Sequence, residues 1–234
     1  MAITFHNAGI IDLRAIRTLG WSVKENDNPI GMFGTGSRFA LATLLRTHHS
    51  VVMYRGLDRY VFGLIKAGAR AGREFDVVTM TGPDGKPEEL AFTSQLGKQW
   101  ETWMAFREMH SNVLDERGTT YRATEPYKPS ADTTAFIVEG AEIEAAYDQR
   151  DTIFLATQPT LADENVQIHP NRSDHVFYRG VRVAPLNRPS MFTYNLKRLI
   201  SGLTEDRTLR SVTDLDYYLT HFIVNSTDEA YLRE

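Results

Sequence analysis

"WETWMAFREMHSNVLDERG", residues 100–118, is the stretch on which the fold turns. Trp100, Trp103, Phe106, Met109, Val113 and Leu114 gather on one side of a helix running from about Lys98 to Glu116, with Gly118 placed to end it. A helix so apolar on one side needs a surface to bury it against. The other side carries Glu108, Asn112 and Asp115 at i, i+4 and i+7, which at about 100° per residue share an arc of about 60°. Such a trio reads either as a solvated polar stripe or as groups converging on a ligand. Asparagine is the telling member: it is a middling helix former, so a solvated stripe gains nothing from it, whereas its carbonyl oxygen suits a hard cation.

The segments on either side supply the surface. "SVVMYRG" (50–56), "RYVFGLI" (59–65), "EFDVVTM" (74–80) and "ELAFTSQ" (89–95) read as an antiparallel meander, the last two joined by the turn "TGPDGKPE". After the helix, "DTTAFIVEG" reads as a buried strand ending at Glu139 and Gly140, followed by the short amphipathic run "AEIEAAYDQR". A short helix is expected at 10–19. Residues 151–195 look rich in β structure, including "TIFLAT" and the hairpin-like "HVFYRGVRVA", whose Arg179–Gly180 sits at the turn or marks a bulge. Residues 196–203 read as a strand or a helical turn, and "DLDYYLTHFIVN" as a helix. No Pro- or Ser-rich linker interrupts the chain, so 1–234 reads as one α+β domain with helices layered on a mostly antiparallel sheet.

Upstream, "NPIGMFGTGSRFALATLLR" (28–46) places Gly31, Gly34 and Gly36 just before a helix marked by Ala40, Leu41, Leu44 and Leu45. Glycines allow close backbone approach, and a helix N-terminus offers unpaired amides and a positive dipole end, so a phosphate is the ligand to expect. The stretch lacks the Gly-Lys-Ser/Thr ending of a P-loop and does not follow a strand as a dinucleotide fingerprint does. A plain glycine-rich loop that lets the helix pack closely stands beside the phosphate reading.

Composition narrows the rest. With 26 Lys and Arg against 30 Asp and Glu, the net charge of −4 supplies no global field for nucleic acid. The chain has no cysteine, which removes disulfides, thiolate nucleophiles and cysteine metal sites. No segment approaches the roughly 20 apolar residues of a membrane span, and "MAITFHNAGIIDLRAIRTLG" lacks the pattern of a signal peptide; no membrane association and a cytoplasmic location are expected. The seven histidines show no paired metal spacing, and His110, on the apolar side of its helix, reads as a hydrogen-bonded core residue. Glu205, Asp206 and Arg207 in "GLTEDRT" read as a salt-bridged turn, and the Arg-aromatic mixtures "YRGLDRY" and "YRGVRV" as cover for a sheet face.

"EMHSNVLD" resembles the N-box helix of the GHKL superfamily of ATP-binding domains, which includes gyrase, ninety-kilodalton heat-shock chaperones, histidine kinases and mismatch-repair ATPases. "IGMFGTGSRFA" is similar to the glycine-rich box of the same superfamily. With its "NPIG" box, "YRG" and "LTEDRT" segments, the chain also resembles a bacteriophage and bacterial protein family over nearly its whole length, which would place it in a bacterial host cell. The superfamily resemblance implies a Bergerat-like fold that binds ATP with Mg. Asn112 would be the metal ligand and Glu108 the general base, with Asp115 in a supporting place. Gly31, Phe33, Gly34, Thr35, Gly36 and Arg38 would form the phosphate lid and helix N-terminus, Arg38 pairing with phosphate. The glycine box precedes the N-box helix here, the reverse of the superfamily's order, which implies a circular permutation. "FIVEGAEI" then occupies the adenine-reading place, with Glu139 as acceptor and Gly140 beside it but no second glycine. Hydrolysis is expected to be slow, because such a site needs closure by a partner protein or a second subunit. The alternative implied by the incomplete adenine motif is a phage-encoded module that acts on a host factor and keeps a degenerate or structural nucleotide pocket.

Overall fold

The computed structural model describes residues 1–18, 35–70, 73–204, 207–211 and 213–226, and these divide into two compact units, Met1–Asp148 and Gln149–Glu234. The first unit runs β1 (Ala2–Ala8), α1 (Arg14–Arg17), α2 (Gly36–Arg46), β2 (Ser50–Arg55), β3 (Asp58–Arg70), β4 (Arg73–Thr81), β5 (Pro87–Thr93), α3 (Thr102–Asp115), β6 (Thr119–Ala123), β7 (Thr133–Glu139) and α4 (Ala141–Asp148). Its strands form one antiparallel sheet of seven in the order β5-β4-β3-β2-β7-β1-β6. The expected meander is the β2–β5 side of this sheet. On the other side, β7 pairs with both β1 and β2.

Register shows which face the helices cover. Ile3 pairs with Val138 and that with Val51, while Phe5 pairs with Phe136 and that with Met53, so these side chains share a face. Phe5 meets Phe106 of α3 at 5.7 Å between ring centroids, and Phe106 meets Tyr147 of α4 edge-on at 6.3 Å. Helix α2 packs beside α3 and against β2 and β3. The core between these layers holds Ile3, Val51, Met53 and Phe106, with Ala40, Leu41 and Leu44 from α2.

Several boundaries differ from those read in the sequence. The expected helix from Lys98 starts only at Thr102, because the preceding residues close a turn through the Trp100 N–H on the Gly97 carbonyl at 2.7 Å. Leu114, expected in the buried face, is 42% exposed. Gly118 does not take the left-handed position at the end of α3. Arg117 does, at φ 56°, and the N–H groups of Arg117 and Gly118 bond back to Leu114 and Val113. Gly118 is needed for closeness instead: a Cβ there would lie 1.9 Å from Asn7 Oδ1 and 2.2 Å from the His6 carbonyl oxygen on β1. The helix expected over 10–19 is the single turn α1, and β1 had no counterpart in the sequence reading.

The second unit runs α5 (Arg150–Ile153), β8 (Leu161–Ala162), β9 (Val166–His169), β10 (Ser173–Tyr178), β11 (Val181–Ser190), β12 (Thr193–Leu196) and α6 (Thr213–Asn225). Its five strands lie in the order β11-β10-β12-β9-β8, with β10 parallel to β12 and the rest antiparallel. The hairpin at Arg179–Gly180 is as expected, both residues having positive φ, 51° and 78°. "TIFLAT" is not a strand: it contributes the end of α5 and a single bridge at Phe154. Residues 197–203 continue from β12 as loop. Val166, Ile168, Val176 and Leu196 form a separate core with Leu215, Tyr218 and Phe222 of α6. Asp214 ties the loop to α6 by accepting the N–H groups of Ile200 and Ser201, each at 3.1 Å. The reading of 1–234 as one domain carried no sign of this division, because the boundary falls between α4 and α5 with no linker composition to mark it.

Candidate functional site

Helices α2 and α3 lie side by side and antiparallel. At one end, Arg46 in the last turn of α2 donates to the carbonyls of Ser94, Leu96, Gly97 and Trp100, just ahead of α3. At the other, Asn112 near the end of α3 donates from Nδ2 to Ser37 Oγ, in the first turn of α2, at 3.3 Å. This pairing brings the start of the glycine-box helix onto the Glu108/Asn112 stripe of α3.

Glu108 is 6% exposed and sits against the first residue of α2: a Cβ built on Gly36 would lie 2.0 Å from Glu108 Oε1. Gly36 is therefore glycine for space. The stripe is no solvated face, since Glu108 is buried and both Asn112 and Asp115 are half-buried. Thr35 stands at the N-cap with no side-chain capping bond, its carbonyl receiving the N–H groups of Arg38 and Phe39. The backbone N–H groups of Gly36 and Ser37, among the orphan donors of a helix start, find no acceptor among the described residues. Gly31, Phe33 and Gly34, expected in the phosphate lid, lie outside the described residues.

Two expected members of the site are elsewhere. Arg38 is fully buried and donates from Nε to the Ile16 carbonyl at 3.0 Å and from Nη2 to that of Ala15 at 2.9 Å, so its guanidinium holds the end of α1. Burial lowers its pKa from the usual guanidinium value. Nε and Nη2 are thus engaged by carbonyls at the end of α1, which a single helical turn leaves in need of donors. Glu139, exposed at the end of β7, pairs in register with Ser50, and Gly140 packs on His49, just beyond the C-terminus of α2. Gly36 marks the opposite end of that helix, so Glu139 lies by the C-terminal end of α2 and Glu108 by its start. Glu139 and Gly140 instead line an open cleft with Met1, Ala141, Glu144 and Asp148.

The sequence reading missed Asn7. It sits on the same sheet face as Phe5, by alternation along β1, and donates from Nδ2 to Glu116 Oε2 at 2.6 Å, one turn beyond Asn112. Its Oδ1 is buried and has no hydrogen-bond partner among the described residues. No local signal marks this residue, because its place depends on β1 lying under the end of α3.

No group of three or more His, Asp or Glu side chains that could hold a metal occurs among the described residues. His110 is held as expected, with Nδ1 at 2.8 Å from Thr120 Oγ1 and its ring stacked on Phe106. Glu205 and Asp206 lie outside the described residues; Arg207 is buried in a turn at φ 54°, its N–H on the Thr204 carbonyl at 3.0 Å. No helix among the described residues is long and apolar enough to cross a membrane. No family model, no curated protein and no solved structure matches the chain.

Proposed function

We propose that the junction of α2 and α3 is a Mg-dependent nucleoside triphosphate site in a Bergerat-like unit of permuted order, and that the chain binds ATP and hydrolyses it slowly. The observation that carries this reading is convergence: Gly36 and Ser37 of the glycine box meet Glu108 and Asn112 of a helix some 70 residues later. The amides at the start of α2, which find no acceptor among the described residues, suit a phosphate oxygen. The donors fit magnesium, a hard cation that takes oxygen ligands and is usually held by one or two side chains plus phosphates. Asn112 would hold the ion through its amide oxygen. When bound, that ion neutralises charge on the transferring phosphoryl group. Glu108 takes a proton from the attacking water, and its burial beside Gly36 keeps bulk water away from the carboxylate. Glu139 has no place in this site.

A second reading draws on the same geometry. Glu108 already places a carboxylate at the N-terminus of α2, where an internal anion stabilises the helix without any ligand. The pocket is then structural, and the chain is an interaction module for a protein partner.

Calorimetric titration of ATP and GTP, with and without Mg, separates the two. The nucleotide reading expects Mg-dependent ATP binding that Asn112→Ala removes, and turnover lowered at least about 100-fold by Glu108→Gln with binding retained. Absence of binding by either nucleotide leaves the structural reading.

A further inference from the structure

A strand at the edge of a sheet leaves the backbone N–H and C=O groups of its outer side unpaired, and these form a template for another extended chain unless something blunts them. Among the described residues the two sheets end on β5, β6, β8 and β11. Three of these edges are blunted. β5 opens on Pro87, carries Glu88 and Glu89, and slips register against β4. β11 contains Pro185 and Pro189 and slips register twice against β10, and β8 is two residues long. β6, "TTYRA", has no proline and runs along β1 in unbroken register. No strand lies beyond it among the described residues, and its backbone makes no recorded hydrogen bond outside the sheet. Its side chains do not guard it either. Arg122 is drawn onto the helix side, where its guanidinium holds both Asp148 carboxylate oxygens at 2.7 Å and lies over the Tyr147 ring. Thr120, on the same side, is bonded to His110. Tyr121 pairs with Thr4 and so lies on the other face, where it is 39% exposed.

We propose that β6 is a homodimer edge, at which two copies of the chain pair antiparallel through Thr119–Ala123 about a two-fold axis at Tyr121. A second copy of this strand fits because the sequence complements itself. The one antiparallel register that matches all five residues sets Tyr121 against its counterpart, Thr119 against Ala123 and Thr120 against Arg122. Arg122, the strand's charged residue, therefore never faces itself, and the exposed tyrosines gain a cross-strand aromatic pair. Alternation keeps both Tyr121 rings on one face and both Arg122–Asp148 pairs on the other, so pairing breaks no existing contact. The proposal is independent of the nucleotide reading.

The test joins sedimentation of the full chain at rising protein concentration with disulfide trapping, which reads cleanly because the chain has no cysteine. Opposed residues of an antiparallel pair have Cα atoms about 4.5–5.5 Å apart, within disulfide reach. Two copies of residue 119 would instead lie about 14 Å apart along the strands. We expect wild type to pass from monomer to dimer and Tyr121→Cys to form a covalent dimer on oxidation. Thr119→Cys alone should stay monomeric under the same oxidation, yet cross-link when mixed with Ala123→Cys. Tyr121→Lys sets like charges opposite each other and should weaken dimerisation about ten-fold, while Tyr121→Phe keeps the ring pair and dimerises as wild type does. A wild-type chain that remains monomeric at every concentration overturns the proposal. So does a dimer undiminished by Tyr121→Lys, or one in which Thr119→Cys alone cross-links as readily as Tyr121→Cys, since either places the contact elsewhere.

Discussion

Gly36 and Glu108 are the most tightly coupled pair at the candidate site. No positive φ is recorded at Gly36, so the residue is required there for space, and any side chain meets the Glu108 carboxyl group first. Gly36→Ala is therefore expected to behave as an overpacked core, costing about 1–3 kcal/mol of unfolding free energy by denaturant titration. Under the nucleotide reading it also displaces the general base, so turnover should fall further than ATP affinity. A variant as stable as wild type would show that Glu108 can swing aside freely. Glu108→Gln makes the complementary change, keeping the volume and removing the base.

At the scale of elements, arginines join the helices. α1 is a single turn with no side-chain cap at its start, too short to persist alone, and its carbonyls at Ala15 and Ile16 are held by Arg38 of α2. Arg46 does the same at the other end of α2 for the turn that leads into α3. Because buried hydrogen bonds to a charged group are individually strong, Arg38→Met should lower stability by about 2–4 kcal/mol. Proteolysis should then cut first near α1, since that element loses the hydrogen bonds that tie its carbonyls to α2. Equal stability and unchanged cleavage would mean that the α1 turn is held by its own packing through Ile16.

Across the whole molecule, each unit buries one neutral histidine of similar design. His49 sets Nδ1 at 2.9 Å from Thr47 Oγ1 and His169 sets Nδ1 at 3.0 Å from Thr157 Oγ1, and in both the Nε2 is buried without a partner among the described residues. Burial lowers the pKa of both imidazoles, with Glu142 opposing the effect at His49. A folded-state pKa below the unfolded value of about 6.5 means that the unfolded chain takes up protons first as the solution acidifies. Stability should therefore be complete above about pH 7 and fall below about pH 6.5, by up to about 1.4 kcal/mol per pH unit for each histidine while it stays neutral in the fold. Denaturant midpoints at pH 7.5, 6.5 and 5.5 check this, and His49→Gln should flatten part of the slope; identical midpoints would show that both rings protonate without penalty. Much of this architecture was legible locally. Apolar periodicity marked α2, α3, α4 and α6, alternation marked the meander and β7, and turn chemistry marked the Arg179–Gly180 hairpin. β1 and α5 were not legible, since short apolar runs fit helix and strand alike. Motif spacing singled out Gly36, Glu108 and Asn112, but the same spacing assigned Arg38 to a phosphate and Glu139 to the same pocket. Sequence by itself determined most of the longer elements and the residue types able to do chemistry, because periodicity and turn preference act over a few residues. Only the tertiary structure decided which of those residues meet, because antiparallel packing of α2 on α3 sets which helix end faces which side chain. That packing brought Glu108 and Asn112 to the start of α2, while the pairing of β7 with β2 put Glu139 at its far end.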